Sequence, residues 1–453
     1  MAHGELTAEQ AIDAQSLPSA RRGACPTLDR PMQTGDGLLA RLRPAGGTFT
    51  LHQLRQLTQA AQQYGNGILE LSARGSVQIR GLAADTVDPM ASEIDAAGIS
   101  VPAGPVIELP PLHGIFADEV VDTVAMEQLI RIQLAELLRS AALAPKLSII
   151  VDGGGVFGLA AISADIRLVA LAPGIWVVAI AGDGRSARPI AQGTADQAVH
   201  AVGDVLRLLI SMGRYKRCRD IASVWRPSTP RMDALPTACP PGGQAAPVGV
   251  HAAPDGTITV GLKPRFGQMR AREIAGFLNA IESLGVRDIR PAPGRCLFIT
   301  GLTPLDATSV QKLAPQHGLS ADLYEPSDHI AACSGAGACA SGHYATKTLA
   351  ETIVAGSPAL LDGTLTVHLS GCSKGCAHSR QALTIVGTAD GYDLIFDGRA
   401  SDAPDAQITG GDIESAIEKL ACLIKDEGNA GESAAACLRR LGKCHATRAL
   451  RQG

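Results

Sequence analysis

A chain of 453 residues is too long for one ordinary core, and at about 150 residues per domain it implies roughly three. Hydrophobic residues make up 46% but aromatics only 3%, so Ala, Val, Leu and Ile must build the interior. With 40 Lys and Arg against 44 Asp and Glu the net charge is −4, which argues against a nucleic-acid footprint, and no apolar run of about 18 residues exists to span a membrane.

The opening MAHGELTAEQAIDAQ has neither a basic n-region nor an apolar h-region, so a cytoplasmic protein is expected. Its first structured segment, about 36 to 82, reads as strand, helix, strand, strand. Leu54, Leu57 and Ala61 form a helical stripe closed by Gly65. A linker helix, further strands and a final helix follow. The strand Lys146 to Gly153 runs into Gly153-Gly-Gly155-Val-Phe-Gly158, formally G-x-G-x-x-G. Leu159 to Leu171 then reads as another strand rather than a helix, and Asp165 comes too early for a ribose acid, so a nucleotide site is not expected there.

The second half repeats the first. Leu42-Arg43-Pro44 recurs as Leu262-Lys263-Pro264, and the stripe Leu54, Leu57, Ala61, Gly65 recurs as Ile274, Phe277, Ile281, Gly285. Lys146 to Gly153 lies over Thr364 to Gly371. The expected organisation is a half-domain at 22–84, a sheet-helix domain at 85–226, their copies at 247–305 and 306–430, and a tail at 431–453. The Pro-rich stretch Arg226 to Pro247 is the expected hinge.

Eleven cysteines, an odd number in a reducing compartment, point away from a disulfide framework. Four form one pattern, Cys333-x5-Cys339 and Cys372-x3-Cys376. These gaps fit zinc knuckles and ferredoxin runs poorly, whereas two glycine-rich loops suit a 4Fe–4S cluster, with zinc or four free thiols as the alternatives. Gly154 and Gly158 occupy the positions of Cys372 and Cys376 in the first copy, so only the second copy can ligate. Cys218, Cys239, Cys296, Cys422, Cys437 and Cys444 read as structural thiols, the last two in a solvated tail helix with Arg439, Arg440, Lys443 and Arg448.

Over residues 22 to 425 or so, these motifs resemble the sirohaem sulfite and nitrite reductase family. Leu39-Ala-Arg41-Leu-Arg43-Pro44 resembles its Arg-x-Arg strand, Arg74 to Arg80 its Thr-x-Arg-x-x-x-Gln stretch, and Pro145-Lys146 its Pro-Arg-Lys strand. The resemblance implies an α+β, internally duplicated fold with ferredoxin-like half-domains and two larger sheet-helix domains. It implies that Arg41, Arg43, Arg74, Gln78, Arg80 and Lys146 grip the carboxylates of a tetrapyrrole, five of them cations.

Departures from the reductases are Cys372-Ser-Lys374-Gly-Cys376, followed by Ala377-His378, and the opening Cys25-Pro26 to Gly37. They resemble the branch of the family that serves aerobic cobalamin biosynthesis. That implies a monooxygenase that hydroxylates precorrin-3A with dioxygen and closes a lactone, taking electrons from a separate ferredoxin or NADH-dependent reductase. It also implies a mononuclear non-haem iron, for which His343, His368, His378 and Cys25 are candidates by proximity, each equally readable as structural. Two alternatives stand beside it: a sulfite or nitrite reductase holding sirohaem as cofactor, and a non-enzymatic iron–sulfur carrier. One chain builds the whole site in either enzyme, so a monomer is expected.

Overall fold

The computed structural model describes residues 26–116, 118–223, 225, 245–378 and 380–451. Cys25, Cys239 and most of the expected hinge, 226–244, lie outside the described residues.

Strands β1 (Met32–Thr34), β2 (Gly37–Leu42), β3 (Ile68–Leu71) and β4 (Val77–Leu82) form an antiparallel sheet in the order β1-β2-β4-β3. The helix Leu51–Tyr64 crosses between β2 and β3, and its start is written in the sequence. Thr50 Oγ1 accepts from the Gln53 amide (3.1 Å) while Gln53 Oε1 accepts from the Thr50 amide (2.9 Å), a reciprocal cap. The expected stripe, Leu54, Leu57 and Ala61, is its buried face.

A second sheet follows: β5 (Val106–Glu108), β6 (Ser148–Asp152), β7 (Ala164–Ala172), β8 (Ile175–Gly182) and β9 (Arg188–Gly193), side by side in that order. The first three are parallel and the last two antiparallel. The helix Ala195–Met212 packs on it.

The pattern then repeats. β10 (Gly249–Ala252), β11 (Ile258–Pro264), β12 (Gln268–Arg270), β13 (Ile289–Ala292), β14 (Cys296–Leu302) and β15 (Leu319–Ser320) belong to the second half-domain. β16 (Ile330–Ala332), β17 (Val367–Ser370), β18 (Ala382–Gly387), β19 (Gly391–Gly398) and β20 (Ala406–Thr409) again pair parallel, parallel, antiparallel, antiparallel.

The two half-domains are joined by a reciprocal exchange. β12 leaves its own repeat to pair with β3, setting Met269 opposite Leu69, while Phe49 bridges to Ile289. The same 220-residue offset carries Phe49 onto Met269 and Leu69 onto Ile289, so this is one contact made twice, as in a symmetric dimer interface. Leu57, Ile79 and Leu82 share one apolar core with Phe277, Ile289 and Ile299. Each sheet-helix unit keeps a core of its own.

The tail corrects an expectation. The helix Ala434–Arg451 is not simply solvated: Ala434, Cys437, Ala446 and Leu450 are buried in the core of the last sheet, against the helix Ile413–Glu427. Apolar residues at these positions make the buried face, which the flanking arginines disguise in the sequence. Among the described residues no helix is long and apolar enough to cross a membrane.

Phe49 is fully buried at the exchanged contact. Phe49→Ala is expected to lower stability by about 3–5 kcal/mol, measured by chemical denaturation, and to loosen both half-domains together because their core is common.

Candidate functional site

β16 and β17 are adjacent and parallel, so their carboxyl ends open on the same edge of the sheet, where α/β sheets usually present ligand loops. Cys333 follows β16 directly, and Cys372 follows β17 after one glycine. This adjacency brings together two cysteine pairs that lie far apart in the chain. The loops are stitched to each other: the Cys333 amide donates to Leu369 O (3.1 Å), the His343 amide to Gly371 O (2.9 Å), and Lys374 Nζ to Ser341 Oγ (2.7 Å). Gly335 and Gly375 take left-handed φ values of 69° and 62°, which a side chain would strain.

All four thiols lie close enough to interact. Burial, and then the thiols of Cys372, Cys333 and Cys339, push the Cys376 thiol above its ordinary pKa. A fourth thiol gathered against three others is suited to a positively charged partner. The Gly371 amide already points at Cys333 Sγ (3.1 Å). This donor set fits a thiolate-ligated iron–sulfur cluster, with backbone N–H groups directed at sulfur.

Opposite these loops stands one face of the first sheet. Arg41, Gln78, Glu70 and Gln268 lie in a row across β2, β4, β3 and β12. Gln78 accepts from Arg41 Nε (2.9 Å) and donates to Glu70 Oε2 (3.3 Å), and Gln268 Nε2 donates to Glu70 Oε1 (3.1 Å). Burial opposes ionisation of Glu70, but Lys347 (2.8 Å) and Arg80 (3.2 Å) outweigh it and hold the carboxyl below the ordinary range.

Arg80 is fully committed. Its five N–H donors meet Asp36 Oδ2 (2.9 Å) and Oδ1 (2.7 Å), Glu70 Oε2 (3.2 Å), Ser334 Oγ (3.4 Å) and Ala338 O (2.6 Å). The Gly35 amide also donates to Ala338 O (3.3 Å), so the β1–β2 hairpin is pressed onto the Cys333–Cys339 loop. Nearby, Arg74 Nε (2.7 Å) and Arg43 Nη1 (3.9 Å) converge on Glu108. Two guanidinium groups against one carboxylate leave a positive charge in excess, and Arg43 Nη1 and Arg74 Nη2 lack hydrogen-bond partners.

With this geometry in view, comparisons with known proteins are specific. Residues 30–97 match the family described as "Nitrite/Sulfite reductase ferredoxin-like half domain". A precorrin-3B synthase from Sinorhizobium sp is 40% identical over 457 aligned positions, covering 97% of each chain. The chain belongs to the precorrin-3B synthase family. The solved structure of Mycobacterium tuberculosis NirA protein aligns with a TM-score of 0.68 at 18% identity, covering 90% of this chain and 84% of that one. This chain and the NirA protein therefore share the duplicated α+β fold.

In this precorrin-3B synthase family member the cations implied by the reductase resemblance separate into three groups. Arg41 stands on the face opposite the cysteine loops, while Arg43 and Arg74 meet at Glu108. Arg80 is a correction: it was expected to grip a ligand, but internal partners take all its donors and make it a clamp between the repeats. Lys146 is exposed just before β6, at the opposite end of that strand from the Gly153–Gly158 loop. Glu70, Glu108 and Asp36, which organise the arginines, escaped the sequence reading. Their signal is faint, a single acid within the apolar strand Ile68–Leu71 or a turn between glycines.

The histidines do not form a set. His368 is fully buried, with Nε2 unpartnered, and its ring lies 5.7 Å from that of His378. Among the described residues no three His, Cys, Asp or Glu side chains are placed to share one metal ion.

The first-repeat loop is filled from within. The amides of Gly154 (3.0 Å) and Leu159 (2.9 Å) donate to Asp152, and that of Val156 (2.7 Å) to Asp118. Amides that would face a phosphate face carboxylates instead, and β7 follows the loop rather than a helix.

Two outcomes follow from these contacts. Arg80→Met leaves Asp36 and Glu70 without their shared cation and is expected to cost about 3–5 kcal/mol, read by denaturant titration. Beside the first-repeat loop, burial, reinforced by Asp118 and Asp152, pushes the Glu119 carboxyl up to about 7. The folded state binds this proton more tightly than the unfolded one, so its contribution is full below about pH 4.5 and is lost as pH rises through 7. Glu119→Gln should flatten that part of the stability–pH curve.

Proposed function

We propose that the chain performs the precorrin-3B synthase reaction of cobalamin biosynthesis, hydroxylating precorrin-3A with dioxygen and closing an acetate side chain into a lactone. The observation that carries this reading is 40% identity to a precorrin-3B synthase over 97% of both chains. Supporting it, four cysteines of the second repeat gather opposite a basic face of the first.

In this reading Cys333, Cys339, Cys372 and Cys376 hold a 4Fe–4S cluster. When bound, the cluster supplies electrons one at a time. Monooxygenation places one oxygen atom in the substrate and releases the other as water, so two electrons and two protons are required. A separate ferredoxin or NADH-dependent reductase supplies the electrons. The chain's own residues bind and orient the substrate. Arg43 and Arg74 offer the uncompensated charge around Glu108 to substrate carboxylates, and Arg41, steadied by Gln78, extends the same face. Arg80 and Lys146 stand outside this set for the reasons given above. Of the candidates for a further mononuclear iron, His368 and His378 lie side by side with ring centroids 5.7 Å apart, and Cys25 lies outside the described residues.

After anaerobic purification, incubation with precorrin-3A, dioxygen and a chemical reductant should yield a product heavier by one oxygen atom in mass spectrometry. Acid–solvent extraction should release no sirohaem, and its recovery in stoichiometric amount would overturn this reading in favour of a reductase. Cys376→Ser should remove the cluster's visible absorbance and most of the bound iron.

A further inference from the structure

The pseudo-symmetry is broken at one half-buried cation, Arg295. Two hairpin turns meet where the half-domains join: the Gly294 amide donates to Ala73 O (3.0 Å), and Gly75 packs against Ala292. Each turn carries one arginine, Arg74 in the first and Arg295 in the second. In the first, Arg74 Nε meets Glu108 Oε1 (2.7 Å) and Nη1 meets Ser163 O (2.7 Å). In the second, Arg295 makes no hydrogen bond or ion pair among the described residues. The strand matching β5 is β16, Ile330-Ala-Ala332, which has alanines where β5 carries Glu108; the second repeat's acid, Asp328, lies before that strand and is paired with Lys263 (2.7 Å).

Arg295 is held in this position at a cost. Its φ of 62° is left-handed, a conformation that non-glycine residues adopt under strain, often at functional sites. Its side chain passes over Gly267, where even a Cβ would lie 2.3 Å from Arg295 Cδ. The guanidinium bears electrostatically on Glu70 on the basic face and on His378 beside Cys376. Glu70 is already satisfied by Lys347 and Arg80. Burial also lowers the Arg295 pKa, as expected of a cation without a close counter-ion.

We propose that Arg295 binds a carboxylate of the tetrapyrrole substrate on the side of the pocket formed by the cysteine loops, the ligand supplying the acid that Glu108 supplies to Arg74. This rests on the function proposed above. It makes Arg295 a substrate-binding residue contributed by the second repeat, so that cations from both repeats hold one polycarboxylate.

The test compares the iron-loaded wild type with Arg295→Gly, Arg295→Asn and Arg295→Lys. Glycine and asparagine relieve the backbone strain and remove the charge. Both should keep the cluster absorbance and hold Tm level or raise it by about 1 °C. Their Kd for precorrin-3A, read from the tetrapyrrole absorbance, should rise about 10- to 100-fold, the loss typical of a charge-assisted hydrogen bond. Lysine should recover part of that affinity. Wild-type affinity in the glycine and asparagine variants would overturn the assignment, as would a fall in Tm that accounts for the lost binding. Failure of the wild type itself to bind precorrin-3A would instead overturn the proposed function, and this inference with it.

Discussion

The structure depends most on one buried guanidinium. Arg80 sits on β4 of the first repeat and spends its donors on Asp36, Glu70 and the loop between Cys333 and Cys339. Burial alone would disfavour its charge, but Asp36 and Glu70 reverse that and raise its pKa above the ordinary value. The interaction is thus strong because it is complete: a buried ion left with an unmet donor would cost more than it returns. It sets the height of the cysteine loop over the basic face, and Lys347 reaching Glu70 from the second repeat repeats the tie.

Duplication explains why this arrangement is available. Two copies of one unit exchange strand contacts about a pseudo-twofold, which places the sheet of each repeat beside the half-domain of the other. Once joined, the copies were free to diverge. In one, Asp118 and Asp152 fill the loop after β6; in the other, cysteines replace glycines after β17. The ion pair Arg43–Glu108 has a relative in Lys263–Asp328 (2.7 Å), whereas the pairing of Arg74 has none. Chemistry follows the places where the copies differ, since a site with two equivalent halves would have no preferred face for an asymmetric substrate.

The same reasoning separates charge that builds from charge that binds. The near-neutral total of the chain concealed a concentration of arginines around Glu70 and Glu108, and motif position alone ranked them equally. Contacts rank them differently: Arg80 joins the repeats, Lys146 is distant, Arg41 meets Gln78, and Arg43 and Arg74 meet at Glu108. They also bring forward Arg295, which stands in no recognisable motif.

By itself the sequence determined the duplication, the helix and strand periods, the four-cysteine pattern and the glycine loop that holds no cysteine. These are local or repeated features, and periodicity or spacing along one chain is enough to express them. Only the tertiary structure decided which cations have partners, that the tail helix is packed, and that the half-domains share a core. Each depends on residues distant in sequence, such as Arg80 with Ala338 or Phe49 with Ile289. An arginine reads the same in a sequence whether its counter-ion is a neighbouring strand or a ligand, because the partner that distinguishes the two is supplied by the fold.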